Sequence, residues 1–155
     1  MSEPSASSMT RLFTDLIGRA VSFSEQSHPA TVKLDQIYCV YLVKPMESTR
    51  VIRADTALLS SFAGALIGLS AEAIKERVAE PTPDESLRDA LNEVMNIASR
   101  VVSLEHRAIF KGMFADANSL PADARNTLRD PCYSSYFNVN IDGYEGGAFA
   151  LLAPF

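Results

Sequence analysis

The order of apolar and polar residues divides the chain into helical and extended stretches. Met9–Ala20 sets Leu12, Phe13, Leu16 and Ile17 at helical spacing, with Thr10 in place to cap the helix. Val21–Phe23 reads as a strand, and His28-Pro29 ends the pattern. Leu34–Lys44 is β-branched and aromatic and apolar on both faces, the pattern of a central, covered strand. After a turn at Pro45–Ser48, Thr49–Ala54 reads as its hairpin partner. Ala57–Ser70 follows as a helix of small and apolar residues, capped by Asp55 or Thr56, with a more polar helical stretch at Ala71–Ala79.

The two prolines of Glu80–Asp84 punctuate the chain before a long helix, Glu85–Leu104. Arg107–Phe114 reads as a strand, and Ala115–Asp130 as a mixed segment with room for a short helix. Tyr133–Ile141 and Tyr144–Leu152 flank Asp142-Gly143, a type I′ hairpin signal. Gly143, Gly146 and Gly147 read as hairpin and bulge glycines. No internal sequence repeat is visible. Helix, strands, helices, then strands predicts an α+β fold whose antiparallel sheet is covered by long helices. One domain is expected over residues 9–155, behind a disordered lead-in at residues 1–8.

Composition narrows the function. A net charge of −5 with scattered basic residues gives no basic face, so nucleic acid is not expected as a partner. The most apolar stretch, Ala57–Leu69, is short of the run of about 18 residues needed to span a membrane. The opening MSEPSASSMT has neither the charged nor the apolar region of a secretory signal. Two cysteines without a CxxC pattern fit a reducing compartment, and the cytoplasm is expected. Cys39 reads as core, and Cys132 has no paired histidine. His28 and His106 lack ligand spacing, so no metal site is expected, and His106 is placed to contact the C-terminus of the long helix.

That helix carries the candidate chemistry. At 100° per residue, Leu87, Ala90, Leu91, Val94, Met95, Ile97, Ala98, Val101, Val102 and Leu104 share one side. Glu85, Asp89, Asn92, Glu93, Asn96, Ser99, Arg100 and Ser103 share the other. Asp89, Glu93 and Asn96 stand at i, i+4 and i+7, in one row. Such a row is ordinarily a solvated surface. Here Asp89 and Glu93 are like charges one turn apart, and a mid-helix asparagine is a poor helix former, so local stability does not explain the choice.

The segment Asp89-Ala-Leu-Asn-Glu93-Val-Met-Asn96 resembles the D/S-x3-E-x2-N signature of the CheC/CheX/FliY chemotaxis phosphatases, most closely the CheX branch. The likeness covers the layout of residues 10–154, with about ten residues specific to it. It implies a CheC-like two-layer architecture and removal of phosphate from the phospho-aspartate of a CheY-like response regulator. Asn96 would position a water and Glu93 would pair with the receiver's lysine. Asp89 and Arg100 would lie on the partner-binding face. No cofactor is implied on this chain, since the Mg²⁺ belongs to the receiver. CheC-type members carry a second signature on the first helix; the stretch Thr14–Gly18 has an Asp for the Glu and no Asn, and a single site fits the CheX branch, whose members are homodimers. The competing reading is a non-catalytic receiver-binding or adaptor module of the same fold.

Overall fold

A computed structural model of the chain describes residues 4–29, 35–81 and 84–154. Its elements run α1 (Ala6–Ile17), β1 (Val21–Gln26), β2 (Gln36–Lys44), β3 (Ser48–Asp55), α2 (Thr56–Leu66), α3 (Ala71–Ala79), α4 (Glu85–Val102), β4 (Arg107–Phe114), α5 (Ala122–Arg129), β5 (Tyr133–Ile141) and β6 (Tyr144–Ala153). The strands form one six-stranded sheet in the order β1-β5-β6-β3-β2-β4, with every neighbouring pair antiparallel. The α+β class with an antiparallel sheet is as the patterning predicts. Leu34 lies outside the described residues.

Strand alternation decides what each face meets. Cys39, Tyr41 and Val43 of β2 enter the main core under the long helices, while Val40 joins Val51, Leu120 and Ala124 on the opposite face. β2 is therefore covered on both sides, which is why its sequence is apolar throughout. The main core holds Phe13 of α1, Phe62 of α2, Phe23 of β1, Phe137 of β5 and Phe149 of β6. Phe13 lies 4.5 Å from Phe62 and Phe23 lies 5.3 Å from Phe149, centroid to centroid.

The strand order has a two-fold topology. With α2, α3 and α5 set aside as insertions, each half of the chain runs helix, strand, strand, strand: α1-β1-β2-β3, then α4-β4-β5-β6. Exchanging β1 with β4, β2 with β5 and β3 with β6 reverses the sheet order and leaves every neighbour unchanged. α1 and α4 occupy equivalent places in this scheme.

Four local expectations are corrected. Ser5, not Thr10, caps α1: its hydroxyl accepts from Ser8 N and the Ser8 side chain returns to Ser5 N, so residues 5–8 form the cap and first turn rather than a lead-in. Thr10 instead accepts a bond from Phe23 N, tying α1 to β1. Asp55 holds the N-cap position of α2 but makes no side-chain bond to that helix; its carboxylate accepts from Ala148 N at 2.8 Å and from the Gln36 amide. The Asp142-Gly143 turn is not type I′, because only Gly143 (φ 81°) has left-handed backbone. The hairpin instead carries an irregularity between Val139 and Ile141, where a Cβ on Gly146 would stand 2.1 Å from Val139 O.

Candidate functional site

α4 is set in place from both ends and from the middle. At its start Asp84 Oδ1 accepts from Leu87 N at 2.9 Å, and Arg77 Nη1 of α3 donates to Asp84 Oδ2 at 3.1 Å. The Leu87 N–H first, then the Arg77 guanidinium, hold the Asp84 carboxyl below its ordinary range, against an opposing effect of burial. At its end the buried Arg50 of β3 donates through Nη1 to Val102 O at 2.7 Å. In the middle the buried Tyr41 hydroxyl donates to Met95 O at 2.6 Å. Burial, and secondarily the nearby Cys39, pushes the Tyr41 phenol up, so it stays protonated and remains a donor.

Leu87, Ala90, Leu91, Val94, Met95, Ala98, Val101 and Val102 are buried, as the helical projection predicts. Ile97 is half-buried, and Leu104 is 48% exposed beyond the end of the helix. Ser103, projected onto the polar side, is buried at the C-cap position and accepts from His106 N at 3.2 Å. The carbonyl-capping role expected of His106 falls to Arg50 instead. Sequence reading missed both Arg50 and Tyr41. The one signal for Arg50 is strand alternation, which sets it on the same face as Ile52 and Ala54.

Asp89, Glu93, Asn96 and Arg100 are all exposed. Spaced i, i+4, i+7 and i+11, they form one row roughly 16 Å long. Among the described residues none of the four makes a side-chain hydrogen bond or ion pair. Cavities of about 310 Å³ between α2 and α3, 380 Å³ between α3, α4 and β4, and 520 Å³ beside α5 are lined by other residues. An exposed row of uncommitted polar groups on a buttressed helix suits contact with a partner's site better than enclosure of a small molecule.

The remaining chemistry-bearing residues stand apart from the row. Cys39 is buried, and burial pushes its thiol far above the usual range, while Cys132 is exposed. Among the described residues no group of three His, Cys, Asp or Glu side chains is arranged to hold a metal ion, and no helix is long and apolar enough to cross a membrane. On α1, Thr14 is committed to Val21 through its hydroxyl, and Gly18 ends the helix in left-handed backbone.

The fold is shared with several solved structures. The FliM middle domain of H. pylori is similar at a TM-score of 0.60 and 19% identity, over 96% of this chain and 84% of that one. FliY of Thermotoga maritima is similar at 0.55 and 15%, over 92% and 80%. The CheX–CheY–BeF3–Mg²⁺ complex of Borrelia burgdorferi contains a chain similar at 0.52 and 8%, over 94% and 92%. At these identities the likeness is one of fold, and it agrees with the CheC/CheX/FliY architecture that the helix signature implied. No protein-family model matches the chain, and no curated protein is similar to it.

Proposed function

We propose that this chain is a phosphatase acting on the phospho-aspartate of a CheY-like receiver domain. The observation that carries this reading is the position of Asn96. It is exposed mid-helix, in register with Glu93, on a helix held rigid from below by Tyr41 and Arg50. An aspartyl phosphate is an activated acyl phosphate, so the catalyst's main task is to hold a water in line with phosphorus. A carboxamide both donates and accepts, without a tuned pKa, and suits that task. The parallel is the water-orienting glutamine of GTPases.

Glu93 beside a phosphoryl group would be repelled unless it meets a cation, so its place in this reading is against the receiver's lysine. Asp89 supports the same docking face. The Mg²⁺ belongs to the receiver. Support comes from the shared fold of a CheX solved with CheY, BeF3 and Mg²⁺, since BeF3 has the shape of a phosphoryl group. The test is incubation with chemically phosphorylated receiver domains, following phosphate loss with the wild type and with Asn96→Ala. Acceleration by the wild type alone is expected. No acceleration with any receiver would end the proposal.

A second reading, an adaptor that docks a receiver or a flagellar switch partner without catalysis, is favoured by the likeness to FliM middle domains. It predicts binding with unchanged phosphate lifetime. In either reading a homodimer is proposed from the CheX likeness. The apolar strands β5 and β6 lie inside the sheet, and among the described residues its edges are β1 and β4. Sedimentation at micromolar concentration tests the dimer.

A further inference from the structure

On the outward row of α4, charge changes sign across Asn96. Asp89 and Glu93 stand on its N-terminal side and Arg100 stands one turn beyond it. Arg100 is exposed and, among the described residues, engages no carboxylate or carbonyl. Side chains on a helix lean toward its N-terminus, so a long side chain at this position reaches back over the turn that bears Asn96. Resting on the phosphatase reading, we propose that Arg100 contacts the phosphoryl oxygens directly, making it a second catalytic group beside Asn96.

The electrostatics of the row select this position. A phosphoryl group arriving at Asn96 carries about two negative charges, and the carboxylates of Glu93 and Asp89 repel it from one side. A guanidinium on the other side attracts it, and its planar fork matches two phosphoryl oxygens at once. The anion therefore settles between Asn96 and Arg100, with the receiver's lysine turned toward Glu93. In the step itself the oxygen of the water held by Asn96 forms a bond to phosphorus. The bond from phosphorus to the aspartyl oxygen breaks, and its electron pair leaves with the carboxylate. The products are the free aspartate and dihydrogen phosphate, which retains both protons of the water. Arg100 transfers no proton; it stabilises the charge spread over the equatorial oxygens.

The competing account is that a positive charge in the last turn merely complements the helix dipole. That account predicts an effect on stability and none on turnover. The discriminating experiment measures single-turnover phosphate loss from a phosphorylated receiver across a range of wild-type, Arg100→Ala and Arg100→Lys concentrations. It is paired with binding to the receiver with and without BeF3. The proposal expects Arg100→Ala to lower the saturating rate about tenfold to a hundredfold, the range supplied by one or two charge-assisted hydrogen bonds. Arg100→Lys should recover part of the loss. The affinity lost should be confined to the BeF3-loaded receiver.

A variant with the wild-type rate overturns the proposal and leaves the phosphatase reading standing. So does one whose half-saturation alone rises, with equal loss of affinity for loaded and unloaded receiver. A wild-type chain that accelerates nothing removes the phosphatase reading, and this proposal with it.

Discussion

The hydroxyl of Tyr41 on β2 donates to the backbone carbonyl of Met95, 2.6 Å away, and Met95 immediately precedes Asn96. The buried sheet thus grips the helix backbone directly beneath the residue proposed to hold the water. Removing the hydroxyl alone tests the strength of that grip. Tyr41→Phe keeps the ring in the core and should cost about 1 kcal/mol, the net worth of one hydrogen bond, read as a lower denaturant midpoint with unchanged slope.

Asn96 offers a second test, in which stability and activity should move in opposite directions. The side chain is exposed and makes no bond within the described chain, while alanine is the better helix former. Asn96→Ala should therefore stabilise the protein by roughly 0.5 kcal/mol while abolishing accelerated phosphate loss. Thermal denaturation and the phosphatase assay on one preparation check both halves. A variant that is less stable and inactive would point to a structural role instead.

Asp84 predicts a pH dependence. Its carboxyl is held below the ordinary range by the Leu87 N–H and by Arg77, so the folded state favours the ionised form. The stabilisation is complete above the unfolded value of about 4 and fades as pH falls through the lower folded value. Asp84→Asn keeps a cap acceptor but cannot ionise. The wild type should be more stable than this variant from about pH 5 upward, with the two curves converging in acid, as chemical denaturation across pH will report.

Gly146 sits where β5 and β6 lose register. A Cβ there would meet backbone atoms only: Val139 O at 2.1 Å, Val139 C at 3.1 Å and Asn140 Cα at 3.3 Å. Backbone in the centre of a sheet has little room to yield. Gly146→Ala should destabilise by about 1–3 kcal/mol, the usual penalty of overpacking, measured by the shift in melting temperature.

Periodicity made most of this fold legible. The outward and inward sides of α4 were readable because 18 residues of helix repeat the same apolar spacing, and α3 and β4 match their expected limits. What escaped was non-local. The interior place of β5 and β6 depends on β1 and β3 pairing with them from far along the chain, and no local pattern records that. Arg50 escaped because the Val102 carbonyl to which it donates is a backbone group with no side-chain signature. The two-fold topology left no sequence repeat, since α1 and α4 need only an apolar stripe in common. Of the candidate site, the row itself was visible in the spacing, whereas the buried contacts that hold its helix were not.

The sheet order also sets a timetable for synthesis. Among the described residues β1 has a single neighbour in the sheet, β5, beginning with Val21 against Ile141, so β1 is made long before the strand it pairs with. Until then Val21 and Phe23, both buried in the finished molecule, lack the strand that pairs with them, although α1 and Phe62 of α2 are already made. Nascent chains stalled before residue 133 would carry an unpaired β1, a strand edge open to wrong pairings.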